Sequence, residues 1–536
     1  MKSIRLVLLV TGFQIWCCSL SYGATVSGNV KAPDGAALKG AWVSAQNAKT
    51  RITVTVLADK DGRYRLENLP AGEYQVQAKA IGYKSDARSG VTLTASQAAS
   101  FDFPLQKGMV RWADLSLYQG LQLLPTATGK QELTQHCFNC HGFESRMASV
   151  VRDEDGWRDR VNYMRETEHY FLTPGVTDDI AAKIVTYLNT QFGEDSKLPK
   201  SPAELPAYQG LVPSYSDDAS KIVYVEYELP GPNRMPWNAD PDKNGIVWLP
   251  YYGHANKIGR LDPKTAQVQE FPVPNQTTAG IHSVTPAPDG SVWLSEQGAN
   301  KLGKWDPKTQ TITEFQDAYL PGKELTTAGG QRHTVRVDGN GYVWATGNPL
   351  TRFDPNTEKF TDFRDEVGAS YGITNDKQGN VWFTAQGRSA IGMGDKNTGK
   401  VNLWSVPTDK SFPRRIMVDG GGAVWFTEYT AGKLGRFDPE TKTFKEFVLP
   451  GPRPTPYAIG IDKTGGIWYS SQEMDQVGHL EPNSGQVTLY PFDHAEITMR
   501  EFNADPDGRM WYTSPANNKV GYFYLAGGTQ LASKLP

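Results

Sequence analysis

Seven tryptophans at near-regular spacing constrain this chain more than any other feature of its sequence. Trp248, Trp293, Trp344, Trp382, Trp425, Trp468 and Trp511 recur at a mean of about 44 residues, the period of a four-stranded propeller blade. Around each runs one pattern, "G-x-V-W-x-T", "N-K-I-G-R-x-D-P-x-T", "F-x-x-F-x-x-P", as in "GAVWFTEYTAGKLGRFDPETKTFKEFVLP". Such a unit cannot bury its apolar face alone and must pack on its neighbours. The last copy, "GRMWYTSPANNKVGYFYLAGG", stops after its third strand, and the missing fourth stands at the front of the array as "VYVEYELPGP", residues 223–232. The reading is a seven-bladed β-propeller over 206–536, closed by its N-terminal strand so that no sheet edge stays free. "DPDKNG" from Asp240 opens like a calcium loop, but Tyr251 stands where the bidentate Glu belongs. With "DGNG" from Asp338 and "DPDG" from Asp505, it reads as a strand-connecting turn.

At 536 residues the chain has room for more than one domain. Residues 1–23 read as an export signal: Lys2 and Arg5, an apolar run, then "SYG" before Ala24. The mature chain is then expected in the periplasm or secreted, with no membrane-spanning segment. Residues 24–107 alternate in the strand manner, with "PDG", "DKDG" and "PAG" as turns, and read as a small β-sandwich. Basic and acidic residues nearly balance, 55 against 58, with no stripe of either sign, so nucleic acid is not an expected partner.

Residues 108–205 switch to helical periodicity. Trp157, Val161 and Met164 share one face; Ile180, Ile184 and Leu188 share another, between Thr177 as N-cap and Gly193 as stop. Into this segment falls "HCFNCHGF", residues 136–143. With the signal removed, Cys137 and Cys140 are the only cysteines left. Structural zinc wants four ligands, a thioredoxin-type dithiol wants a βαβ setting, and a bare disulfide leaves His141 unexplained. A covalent haem uses every position: two thioether sulfurs and an adjacent proximal imidazole. One haem c is therefore the expected cofactor, held by Cys137 and Cys140 with His141 on the iron.

Three resemblances add to this reading. "ADKDGRYRLENLPAGEYQVQAKAIGY" resembles carboxypeptidase regulatory-like domains, which implies a transthyretin-like sandwich acting as spacer or docking module, with Asp59 and Asp61 as turn formers. The helical segment resembles a class I cytochrome c domain, which implies an all-α fold and makes Met164, on the Trp157 face, the candidate sixth iron ligand, with Met147 and His169 as rivals. The repeat resembles the streptogramin B (virginiamycin B) lyase family, whose members open a cyclic lactone by elimination with a divalent metal and a histidine base. Carried over, that implies catalytic roles for His282, for Glu296 in "WLSE", and for His333, with a divalent metal in the funnel. The match is incomplete: Gly280 stands at one carboxylate position, and Gln331 and Gly347 at two others.

The first strands of the blades also carry Trp237, Arg332, Tyr371, Arg414, Arg415, Tyr457, Arg500 and Glu501. Trp237, Arg332, Tyr371, Arg414, Tyr457 and Arg500 are the candidate substrate-binding residues. Strict alternation would send Arg414 and Arg415 to opposite sides. The set is cationic and aromatic, suited to an anionic or carbonyl-bearing small molecule. The fold expected is thus multidomain and mainly β. The function expected is electron transfer by an exported haem c protein, as an oxidoreductase or its subunit, with a redox partner protein. The alternatives are a metal-dependent C–O lyase acting on a lactone or ester, and a non-enzymatic binding module.

Overall fold

The repeat folds as its spacing requires. In the computed structural model, which describes residues 23–138, 141–167, 176–276, 280–316, 332–496 and 498–527, each copy is an antiparallel sheet of four strands, here a to d from the axis outward. In the fifth blade these are Pro413–Val418, Val424–Glu428, Lys433–Asp438 and Thr443–Val448. The a strands touch their neighbours round a closed circle of seven. Strand b is buried along its whole length, and its tryptophan explains why the motif recurs. Trp425 packs with Leu434 and Phe447 of its own blade and with Ile459 and Tyr469 of the next, so each indole joins two sheets.

The aspartate of the preceding turn fixes that indole. Asp419 Oδ1 accepts the N–H groups of Gly421 and Ala423, and Oδ2 accepts Trp425 Nε1, all at 2.9 Å. The same aspartate–indole bond recurs at Asp338, Asp376, Asp462 and Asp505. In the first blade Asp242 likewise accepts the N–H groups of Asn244 and Ile246. These carboxylates are spent on their own turns and indoles. Asp419→Ala strands three donors and should cost about 2–3 kcal/mol, read as a lower urea midpoint with an unchanged slope.

The N-terminal segment is a β-sandwich: β1 (Ala24–Lys31), β2 (Trp42–Asn47), β3 (Thr53–Leu57), β4 (Arg63–Leu69), β5 (Gly72–Lys79), β6 (Asp86–Leu93), β7 (Ala98–Ser100) and β8 (Phe103–Pro104). Asp59 accepts the N–H groups of Asp61 and Arg63 in the β3–β4 turn. The closing strand β9 (Ile222–Glu228) pairs with Lys519–Leu525 of the last blade and completes it. On its other side β9 pairs with β3, so one eight-stranded sheet runs from the seventh blade through β9, β3, β2 and β5 to β6. Val54 and Val76 of the sandwich share a core with Val225, Val247 and Trp511 of the propeller. A spacer would hang free; this sandwich is built into the ring.

Between them stands a helical unit: α1 (Leu117–Leu123), α2 (Lys130–His136), α3 (Glu154–Thr167) and α4 (Asp178–Phe192). Thr177 caps α4 and Gly193 ends it. Trp157, Val161, Ile184 and Leu188 are buried in one cluster, which also takes in Leu205, Tyr208 and Leu211, so the unit reaches beyond 205. Among the described residues no helix is long and apolar enough to cross a membrane.

Candidate functional site

At or just before the start of each a strand, one side chain stands on the axis. Trp237, His282, His333, Tyr371, Arg414, Tyr457 and Arg500 each stand eleven residues before their blade's tryptophan, from Trp237 and Trp248 to Arg500 and Trp511. They close a ring. His282 and His333 lie 3.6 Å apart by ring centroids, His333 and Tyr371 4.1 Å, and Trp237 and His282 6.0 Å. The Tyr371 and Tyr457 hydroxyls touch. Arg414 Nη1 donates to Tyr371 at 3.1 Å, Arg500 Nη1 donates to Tyr457 at 2.8 Å, and the Arg500 guanidinium lies 4.3 Å from the Trp237 ring centre.

Alternation does not hold at this level. The register slips at the start of four a strands, including between Pro413 and Ile416, and such a bulge turns successive side chains to the same side. Arg415 therefore points inward with Arg414. Its Nε donates to the Arg500 carbonyl at 2.8 Å and its Nη1 to Thr334 Oγ1 at 2.9 Å, across the axis. Below the ring, Glu501 lies 2.8 Å from Arg336 and 3.7 Å from Arg415, and Arg336 lies 3.5 Å from Asp240.

Burial holds both imidazoles well below the usual histidine range, helped at His282 by the adjoining His333 and then Arg415 and Arg500, and at His333 by Arg415 and Arg414, so both rings are neutral. The tyrosine pair is split. Burial pushes Tyr371 up to about 12. At Tyr457 burial acts the same way but is outweighed by Arg500, Arg414 and Arg415, which bring it down to about 8.

Two expected residues lie elsewhere. Arg332 donates to Thr351 and sits 4.4 Å from the Phe360 ring centre, over the outer strands of its own blade, because it lies one residue before the axial His333. Glu296 is wholly buried; burial raises it to about 8, and the charges that act on it are Glu314 and Lys301 of strands d and c, with neither histidine among them. The structure thus joins His282 to His333, while among the described residues no hydrogen bond or ion pair links Glu296 to either. Nor does the ring suit the expected divalent metal. Its carboxylates, Asp240 and Glu501, are held by Arg336, and four guanidiniums crowd the axis. Elsewhere among the described residues, Glu226, Asp493 and His494 have metal-ligand spacing. There Lys519 and Lys79 already lie 2.8 and 3.6 Å from the carboxylates.

The helical unit covers the mouth above the ring. α1 packs on Gln472–Met474 of the sixth blade, and Tyr163 of α3 reaches His254 of the first at 2.9 Å. Cys137 is the half-buried C-cap of α2, its N–H on the Leu133 carbonyl; Cys140 lies outside the described residues. His141 Nδ1 is 2.7 Å from the Gly142 carbonyl and 3.7 Å from Glu496 Oε1. Burial brings it down to about 4, with Arg146 and, across the interface, Arg500 acting the same way. A π-helical turn, Glu144–Ala148, follows at once, and its Ser145 N–H donates to Glu496 Oε2 at 3.1 Å. Gly120 in α1 leaves room for the Phe143 ring, which a Cβ there would strike. Met147 is buried in the helical core, whereas Met164, near the end of α3, is half-buried outside it. His169 lies outside the described residues. Behind the motif, at the junction with the sandwich, lies a cavity of about 1220 Å³ reached by Trp42, Glu144, Asp475 and Glu496 and by none of the ring residues.

Glu496, Tyr252 and Tyr429 are site residues that the sequence reading missed. Tyr252 stacks on Trp237 at 4.2 Å and Tyr429 lies 4.5 Å from the Arg414 guanidinium. The constant offset of eleven from the tryptophans would have picked the ring and left out Arg332.

Known proteins resemble parts of the chain. Residues 358–536 match the virginiamycin B lyase family and residues 25–106 the carboxypeptidase regulatory-like domain. A solved streptogramin B lyase is 25% identical, with 58% of this chain and 100% of that one covered, at a TM-score of 0.51. The selenomethionine-substituted virginiamycin B lyase from Staphylococcus aureus is 24% identical over 57% and 99%, also at 0.51. No curated protein matches.

Proposed function

We propose that this is an exported haem c protein, periplasmic or secreted, that exchanges electrons at the mouth of a lyase-like propeller with a small molecule held there or with a redox partner protein. The observation that carries the reading is where His141 sits: it packs against Glu496, four residues before Arg500 of the axial ring. The residues suit a covalent haem. The Nδ1 contact with the Gly142 carbonyl is the second partner that a metal-bound imidazole uses, and it leaves Nε2 as the ligand atom. Burial keeps the imidazole neutral, as an iron ligand must be. Cys137 and Cys140 would carry the thioethers. Met164 is the proposed distal ligand, since Met147 is taken up by the core. When bound, haem supplies one-electron chemistry at iron. The chain supplies the rest: α1 and α3 close the mouth against water, and the ring orients what enters.

A second reading has a specific support, the likeness to lyases together with two neutral imidazoles on the axis. In it, His282 or His333 takes a proton during elimination from a cyclic lactone or ester. Gly280 in place of a carboxylate, and a Glu296 that makes no hydrogen bond to either histidine, weigh against it. Two variants separate the readings. On the first, His141→Ala abolishes electron exchange with an artificial acceptor, while a double His282→Ala, His333→Ala variant keeps the haem spectrum. Lactone opening that survives His141→Ala and is lost in the double variant would establish the second instead.

A further inference from the structure

We infer that the axial ring is a binding site for a small planar carboxylate. This gives a ligand class to the propeller half of the reading above and does not depend on the haem half. Trp237 Nε1, His333 Nε2, Arg414 Nε and Arg415 Nη2 are all buried and have no hydrogen-bond partner among the described residues. Each such nitrogen carries an uncompensated desolvation cost unless an acceptor meets it, and here they gather on one axis.

The charges agree. Around the axis the described residues place four guanidiniums, Arg336, Arg414, Arg415 and Arg500, against two carboxylates, Asp240 and Glu501. Arg336 engages both carboxylates and Arg415 lies near one of them, whereas Arg414 has no ion pair among the described residues. Buried cations in excess call for an anion. One or two charges suit a carboxylate better than a phosphate.

The shape narrows the class further. The Arg414 guanidinium lies 5.0, 4.5 and 4.6 Å from the ring centres of Tyr371, Tyr429 and Tyr457, and Arg500 is held by Trp237 in the same way. Guanidiniums set on aromatic faces keep their planes and offer their edges, the arrangement that takes both oxygens of a carboxylate. The same aromatic faces receive a flat apolar body. Two sources have this chemistry: a free organic carboxylate, or the propionates of a haem bound at the mouth.

The test is calorimetric titration of the full chain with benzoate and, separately, with its neutral isostere benzamide, on preparations made with and without haem maturation. Saturable benzoate binding, at least about tenfold tighter than benzamide and about tenfold weaker in Arg414→Gln, is the expected result. Arg65→Gln, exposed on β4 of the sandwich, should leave it unchanged. Binding to both preparations identifies a free ligand; binding only to the haem-free one identifies the propionates. Equal affinity for benzoate and benzamide, or no saturation in either preparation at about 10 mM, overturns the inference, and neither result bears on whether haem is attached.

Discussion

Val225→Asp should unfold the sandwich and the propeller together. Val225 sits in the middle of β9, wholly buried, opposite Tyr522 of the last blade on one side and Val54 of the sandwich on the other. The substitution removes a valine worth about 1.5–3 kcal/mol of burial. It also places a carboxyl where no donor faces it, which adds several kcal/mol or forces proton uptake. Against a total stability of about 5–15 kcal/mol, that is enough to empty the native state. Because β9 is both the ring's clasp and the neighbour of β3, limited proteolysis should show protection lost at once in residues 25–106 and across the blades. A sandwich that stays resistant while the propeller is cut would mean that the two fold independently and that the shared sheet contributes little.

Arg415→Ala and Arg414→Ala, adjacent in sequence and both facing the axis, should differ sharply. Arg415 holds the Arg500 carbonyl, Thr334 and, more loosely, Glu501. Truncating it leaves a buried carboxylate with Arg336 as its remaining ionic partner and should cost about 3–5 kcal/mol. Among the described residues Arg414 has one hydrogen bond, to Tyr371, and face contacts, so its loss should cost about 1–2 kcal/mol. Its effect should instead appear in titration. Tyr457 ionises at about 8 because Arg500, Arg414 and Arg415 outweigh burial, with Tyr371 and Tyr429 also facing Arg414. With the folded value below the unfolded one, ionisation stabilises the fold fully above about 10, and that contribution is lost as pH falls through about 8. Tyrosinate absorbance should therefore rise first near pH 8 in the wild type and at clearly higher pH in Arg414→Ala. An unmoved midpoint would show that Arg414 does not set the charge of the pair.

How much of this was legible depended on the range of the interaction. The seven tryptophans and the displaced fourth strand are local patterns, and they specified the ring, its blade number and its closure. The Asp–Gly turns were legible for the same reason. The axial residues were half legible: blade alternation marks them, but the bulge at the strand starts, which brings Arg415 in beside Arg414, leaves no mark in a period of two. For Glu296 the motif "WLSE" marks a family resemblance and says nothing of which neighbours its buried carboxyl meets: neither oxygen has a hydrogen-bond partner among the described residues. Two features lay beyond any periodicity. The pairing of β3 with β9 joins segments far apart in sequence, and the seating of His141 against Glu496 joins a helical motif to a blade loop. Neither segment carries a signal for the other.

The central claim is that a covalent haem sits over this propeller, and one measurement addresses it directly. The chain should be exported from a host that matures c-type cytochromes, then examined by visible spectroscopy, oxidised and dithionite-reduced, with haem staining of a denaturing gel. The prediction is a sharp reduced-state band and haem that stays with the polypeptide through denaturation, both absent when Cys137 and Cys140 are replaced by alanine. A colourless, well-folded protein would contradict the claim and leave the lyase-like ring as the seat of whatever chemistry the chain performs.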